Sequence, residues 1–138
     1  MNMPYAEDMN YWKTSRASAG SWLDKASDFL INCGADVYVI AKAQDKGRAA
    51  YMIEFGFEPD RFRVLWPVLE SKNGDIAAAE RQAATMLYHD IKSRGVRIKL
   101  QGIRTAFVDS LLLQNGSTVA QSTNSALLDQ TKMLPRPL

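Results

Sequence analysis

Cysteine occurs once in this chain of 138 residues, at Cys33, and histidine once, at His89. An internal disulfide is therefore excluded, and a reducing compartment suits the chain. One His and one Cys also fall short of the common zinc ligand sets. No apolar run approaches the ~18 residues that a membrane helix needs. The opening stretch "MNMPYAEDMNYWKTS" lacks the apolar core of a signal peptide. The expected location is the cytoplasm, with no membrane partner. Charge of one sign is scarce too: 17 Lys and Arg against 15 Asp and Glu leave a net +2, too little to argue nucleic-acid binding from charge alone. Phosphate-cradling glycine loops are missing, since "NGD" and "QNG" are turn sequences. No cofactor and no metal is expected.

What is present suits one soluble domain with a real core, at 46% hydrophobic and 23% charged residues. Residues 1–16 are polar and irregular, with Tyr5, Tyr11 and Trp12 as candidate anchors. In "SAGSWLDKASDFLINCGAD", Trp22, Ala26, Phe29, Leu30 and Cys33 recur at spacings of three and four and share a helix face. Ser21 with Asp24 suits an N-terminal cap pair, and Gly34 suits a left-handed helix end. Three strands follow. The first is "DVYVIAKA". In "RAAYMIEFGF", Tyr51, Ile53, Phe55 and Phe57 alternate with Met52, Glu54 and Gly56. In "RFRVLWPVLE", Phe62, Val64, Trp66 and Val68 lie on one side, with Arg61, Arg63 and Leu65 on the other. The short linkers "QDKG" and "EPDR" make an antiparallel meander the natural pairing. Pro67 has no N–H to donate, which puts the third strand at an edge.

After the loop "SKNGD", Asp75 can cap a second helix. Apolar residues at 76, 79, 83, 84, 87, 91 and 98 form a helical series, so the spacing predicts one helix over 75–100, ended by Gly102. In "HDIKSRGVRIKLQG", Val96, Ile98 and Leu100 also alternate with Arg97, Lys99 and Gln101 as in a strand, but the established stripe outweighs three alternating residues. Gly95 sits on that stripe, where it costs about 1 kcal/mol relative to Ala but lets another element approach closely. "IRTAFVDSLLL" reads as a short helix or turn, and Asn-Gly in "LLLQNGSTVA" as a hairpin.

The expected fold is α+β. It has an antiparallel sheet of three to four strands with helices on one face, in the order α-β-β-β-α, a small helix, then β-β. The expected organisation is an N-terminal extension over 1–16, one domain over 17–121 and a tail over 122–138 with Leu127 and Leu128 as its docking residues. Double-stranded-RNA-binding domains share the α-β-β-β-α order. Where they place a lysine cluster this chain reads "NGDIAAAERQ", so that likeness is topological only.

Catalytic groups are thin. His89 lies about 180° from the centre of its helix's apolar stripe and reads as an exposed surface histidine. Cys33 reads as a small buried hydrophobe. Glu54 and Glu58 can approach along a strand edge, yet acids on the solvent face of a strand are ordinary. No enzyme is expected. The basic residues are more informative. On a helical wheel Arg81, Tyr88, Lys92 and Lys99 fall within about 40° of one another beside the apolar stripe. Such an edge can follow a phosphate backbone while Tyr88 stacks on a base. The sheet adds Lys42, Lys46, Arg48, Arg61 and Arg63, and Trp12, Tyr38 and Trp66 are further stacking candidates. The same residues also suit the solvated boundary of a core helix. Arg94 points near the core, with Asp90 or Glu80 as its partner.

Over 28–120 the chain resembles a family of small uncharacterised proteins encoded by phages and prophages. The motifs are "GAD" after a first helix, the strand "AAYMIEF", the strand "RFRVLWPV" closing on Pro, a helix with Arg81 near its start and Ile91-Lys92 in its second half, and "LLLQNGSTV". They cover about two-thirds of the chain. Departures are Gly95 in the helix, Gln114-Asn115 where the family has Pro-Asp, and a shortened segment before Phe107. The resemblance implies an accessory protein of a mobile element and names no activity. The leading expectation is non-catalytic binding of nucleic acid, single-stranded and with little sequence preference. Arg48, Arg61, Arg63, Arg81, Lys92 and Lys99 would lie on phosphates, with Tyr88 and Trp66 stacking. The competing expectation is a protein-binding module, an inhibitor of a host defence factor or a subunit of a phage assembly, with an apolar patch at 111–113 or "ALLDQTKML". Exposed strand edges leave room for a homo-oligomer.

Overall fold

The computed structural model describes residues 3–122. Helix α1 (Ala19–Asn32) starts from Ser18, whose Oγ accepts the Ser21 N–H at 3.1 Å. The expected Ser21–Asp24 cap pair thus lies inside the helix. Ser18 is the residue still extended (φ −68°, ψ 162°) where the first free N–H groups need an acceptor. Gly34, at φ 97°, closes the other end as expected. Its N–H donates to the Ile31 carbonyl at 2.9 Å, and the Ala35 N–H donates to Leu30 at 3.0 Å. Leu23, Ala26 and Leu30 face the core, Trp22 and Phe29 pack at its margin, and Cys33 is half-buried.

Strands β1 (Asp36–Asp45), β2 (Arg48–Phe57) and β3 (Asp60–Pro67) form an antiparallel meander in that spatial order. Lys46 (φ 53°) and Gly47 (φ 78°) make the two-residue turn between β1 and β2, where paired positive φ angles match the strand twist. The register sets Tyr51, Ile53 and Phe55 opposite Trp66, Val64 and Phe62 on the helix-facing side. Met52, Glu54 and Gly56 face the other way, opposite Leu65, Arg63 and Arg61. Phe55 and Phe62 stack at 5.1 Å, and Phe107 meets Phe55 edge-on at 5.1 Å. All three are fully buried.

Asp75 caps α2 (Ile76–Ser93), its Oδ1 accepting the Ala78 N–H at 3.2 Å. The single helix expected over 75–100 is two: α2 stops at Ser93, and α3 (Gly95–Gln101) resumes after Arg94. Phe29 of α1 approaches so closely that a Cβ on Gly95 would lie 2.9 Å from its Cζ. Arg94, next to it, donates to Asp90 Oδ2 at 3.1 Å, Asp109 Oδ1 at 3.0 Å and the Ala106 carbonyl at 3.1 Å. Its guanidinium also lies over the Phe107 ring, 4.7 Å from the centroid. Gly102 (φ 88°) ends α3 as expected. Helix α4 (Ile103–Ala106) and a 3-10 turn (Val108–Ser110) follow.

The hairpin expected in "LLLQNGSTVA" shrinks to one bridge, Leu112 to Thr118. Asn-Gly does turn the chain, with Gly116 at φ 84° and Asn115 Oδ1 accepting the Ser117 N–H at 3.0 Å. Beyond it, Thr118 Oγ1 accepts the Gln121 N–H at 3.3 Å while Gln121 Oε1 accepts the Thr118 N–H at 2.8 Å. That reciprocal cap starts a helical turn at 119–122, so no second strand forms. The sheet has three strands, joined at its β3 edge by a Phe62–Leu111 bridge. Among the described residues the architecture is α+β, and no helix is long and apolar enough to cross a membrane. From residue 123 the expected tail, with Leu127 and Leu128, lies outside the described residues.

The N-terminal segment is tied down at Ala6, Glu7 and Asn10. Gln82, buried on α2, donates Nε2 to the carbonyls of Ala6 at 2.7 Å and Asn10 at 2.9 Å. Glu7 accepts the Ser71 hydroxyl at 2.7 Å and the Lys72 N–H at 2.9 Å. Burial opposes the Glu7 carboxylate, but these hydrogen bonds outweigh it and hold the pKa at about 2 instead of 4.5. A depressed folded pKa gives stability that is complete above pH 4.5 and lost as pH falls toward about 2. Amide protection of Ala6 and Lys72 against hydrogen exchange is expected to fall across that window in the native chain and to lose this pH dependence in Glu7→Gln. Gln82→Ala removes the donor shared by the Ala6 and Asn10 carbonyls, of which Ala6 keeps the Met9 N–H at 3.1 Å, and is expected to lower the unfolding free energy in urea by about 1 kcal/mol.

Candidate nucleic-acid interface

Where α1 lies against α2, four rings gather. Trp22 meets Tyr88 at 5.3 Å between centroids and His89 at 5.6 Å, each tilted by 47°. Tyr88 and His89 lie edge to face at 5.2 Å. The N-terminal segment brings Tyr11 flat onto His89, 4.9 Å away and within 9° of parallel. Trp22 Nε1 donates to Ser15 Oγ at 2.9 Å, which fixes the indole. Tyr11 (φ 67°) and Lys13 (φ 54°) hold left-handed backbones, a conformation that costs a non-glycine residue about 1 kcal/mol or more. Trp22, Tyr88 and His89 are half-buried and Tyr11 is 37% exposed, so the cluster reaches the surface.

Two lysines flank it. Lys25, one turn after Trp22, places Nζ 4.4 Å from the centroid of the indole. Lys92, one turn after Tyr88, places Nζ 5.7 Å from the phenol ring. Both are exposed, and neither forms an ion pair among the described residues. Several other cations are neutralised within the fold. Lys13 pairs with Asp75 at 3.2 Å, Lys42 with Glu80, Lys72 with Asp8 at 2.8 Å and Arg104 with Asp60 at 2.8 Å. Glu80 is thereby taken, and Arg94 pairs with Asp90, the other expected partner.

Of the expected site residues, the structure brings Tyr88 and Lys92 together. Arg81 lies two turns before Tyr88 on α2, half-buried. Lys99 belongs to α3, so the basic edge read from a continuous helical wheel is cut at Arg94. Arg61 and Arg63 lie on the sheet face away from the helices. Arg61 sits over Tyr38 at 4.3 Å; Arg63 donates Nε to Glu54 Oε1 at 2.8 Å and Nη1 to the Gly116 carbonyl at 3.2 Å. Glu54 is therefore engaged by Arg63 and is not one of a carboxylate pair with Glu58, which is exposed in the turn. Arg48, beside the β1–β2 turn, lines a separate cleft of ≈ 240 Å³ with Met3, Pro4, Tyr5 and Glu70. Trp66 is half-buried on the helix-facing side, against the core.

The sequence pattern predicts an exposed His89, but the ring is half-buried, because the N-terminal segment and α1 cover that side of α2. Trp22 and Lys25 also escaped the sequence reading as site residues. Their local signal is a cation one turn after a ring, in "WLDK" and again in "YHDIK". Cys33 is eleven residues, about 16 Å of helix rise, beyond Trp22, so it is no neighbour of His89. Among the described residues no group of three or more His, Cys, Asp or Glu could hold a metal ion.

Tyr88→Ala removes a ring that touches both Trp22 and His89, and is expected to cost about 2 kcal/mol in thermal unfolding. A change below a few tenths would show that the rings are neighbours without being coupled. Comparison with known protein families, with curated proteins and with solved structures finds no match.

Proposed function

We propose that this protein is a non-catalytic nucleic-acid-binding protein that takes single strands with little sequence preference. The observation that carries the reading is the gathering of Tyr11, Trp22, Tyr88 and His89 at one surface, with Lys25 and Lys92 over two of the rings and in no ion pair among the described residues. Every base has a π face that can stack on an aromatic ring, and every phosphate favours a nearby cation, so such a surface binds strands without reading their sequence. A duplex keeps its bases stacked inside and out of reach. Arg81 lengthens the basic flank along α2, and the flank stops at the helix end, since Lys99 belongs to α3. Arg48, Arg61, Arg63 and Trp66 stand apart from this surface and take no part in it. The sequence resemblance to phage and prophage proteins supplies the context, an accessory protein of a mobile element working in the cytoplasm.

A different observation favours a second reading. On α3, Val96 is 68% and Leu100 78% exposed. At 100° per residue they point directly away from Ile98, which packs on the core, and Arg97 and Lys99 flank them. An apolar ridge with cations on both sides suits a protein partner. Of the patch expected at 111–113, Leu111 packs against the core, and "ALLDQTKML" lies outside the described residues.

The test is fluorescence anisotropy with a labelled single strand of about 30 nucleotides, beside duplex DNA and RNA, at several salt concentrations. Single-strand binding is expected to weaken with salt. In a Lys25→Ala, Lys92→Ala double variant the slope of log affinity on log salt should flatten by about 1.4, that is ~0.7 for each phosphate deprived of its lysine. Affinity that ignores salt, or a slope untouched by these substitutions, overturns the reading.

A further inference from the structure

Residues 11–14 form an arch between two fixed points. On one side the buried Gln82 holds the carbonyl of Asn10 at 2.9 Å. On the other, Ser15 Oγ accepts from Trp22 Nε1 at 2.9 Å and from the Ala17 N–H at 3.1 Å. Between them the chain passes through two left-handed residues, Tyr11 at φ 67° and Lys13 at φ 54°, and neither is glycine. Among the described residues the arch is tied to the rest of the fold by the Tyr11 stack on His89 and one side-chain ion pair. The Lys13–Asp75 ion pair is open to solvent, with the side chains 56% and 37% exposed, which makes it a weak tie.

The strained arch places one ring. Tyr11 lies on His89 at 4.9 Å and 9° from parallel, the only flat stack in the cluster among the described residues. The other ring neighbours of His89, Trp22 and Tyr88, are tilted or edge-on. Lys25 stands over the indole and Lys92 over the phenol of Tyr88. The flat platform on His89 therefore has the geometry that base stacking needs, and the chain's own Tyr11 occupies it.

We propose that Tyr11 is a displaceable placeholder. An unstacked base of the incoming strand takes its position on His89, and the 11–14 arch swings off, releasing its two left-handed residues while Asn10 and Ser15 stay anchored. This rests on the single-strand reading above and adds the residue that regulates that site. Binding competence then belongs to the open arch, and the dissociation constant measured for the native chain is the intrinsic one divided by the open fraction.

Labelled oligothymidylate of about 30 nucleotides is titrated against the native chain, Tyr11→Gly, Tyr11→Phe and the Lys25→Ala, Lys92→Ala double variant. Glycine removes the ring and the strain together, and Tyr11→Gly is expected to bind more tightly than the native chain by the inverse of the native open fraction, about tenfold if one chain in ten is open. Tyr11→Phe keeps the ring and should show no tightening. Hydrogen exchange gives the second readout: saturating oligothymidylate should speed amide exchange at residues 11–14 of the native chain while Ala6 stays protected. Tyr11→Gly binding equal to or weaker than native, or slower exchange of the arch on binding, overturns the placeholder and makes Tyr11 a bystander or a stacking partner. The single-strand reading survives that result if the lysine variant still loses affinity. If neither the native chain nor Tyr11→Gly binds at low salt, both ideas fall together.

Discussion

Phe55, Phe62 and Phe107 meet with no exposed surface, and the positions of the other elements follow from that contact. Phe55 and Phe62 are partners in the β2–β3 register. Burying both decides which side of the sheet receives the helices, since a slip of one residue would turn every side chain over. Phe107 brings the C-terminal half of the chain onto the same core. Arg94 then lies over Phe107 and reaches Asp109 and the Ala106 carbonyl, so the end of α2 is tied to the segment after α4. The break between α2 and α3 sits at that tie, because Arg94 is drawn toward Phe107 while Phe29 presses on Gly95.

The aromatic surface is a by-product of covering the sheet. Two helices on one face must pack against each other, and their contact exposes a seam of side chains that neither helix buries alone. Trp22 and Tyr88 fill that seam, and the next turn of each helix supplies a lysine. The N-terminal segment closes the seam from outside, held by the buried amide of Gln82 and the carboxylate of Glu7. Fixed attachments on either side of a short arch make a left-handed Tyr11 tolerable, since the surroundings over-determine its backbone. The distribution of charge follows the same logic. Lys13, Lys42, Lys72 and Arg104 each pair with an acid, and among the described residues Lys25 and Lys92 beside the seam form no ion pair, which leaves them available to a ligand.

Much of the fold was legible in the sequence, and each failure has a physical cause. Strand alternation in "RAAYMIEFGF" and "RFRVLWPVLE", the Lys46-Gly47 turn, the left-handed Gly34 and the Asp75 cap all act over a few residues, and all are as expected. Gly95 was legible as a site of close approach, and Phe29 is the element that approaches. The break at Arg94 was not legible, because its causes are Phe29 on another helix and Phe107, Ala106 and Asp109 from the segment after α3. The missing hairpin strand was within reach of sequence reading. Thr118 and Gln121 form a reciprocal cap at the spacing of such pairs, and that local signal outcompeted the Asn-Gly turn's invitation to a second strand.

By itself, then, the sequence determined the three strands and two main helices, the face each buries and the ends set by Gly34, Asp75 and Gly102, because periodicity, capping and turn geometry are settled within one or two turns of chain. It also determined that an internal disulfide within these residues was out of reach, since Cys33 is the one cysteine. Tertiary structure decided where the elements meet. It set Arg61 and Arg63 on the face opposite Tyr88 and Lys92, cut Lys99 away from their helix, and brought Tyr11, Trp22 and His89 from three separate segments into one cluster. Those placements depend on contacts between residues far apart in the chain, and no local pattern of residues encodes a distance across the fold.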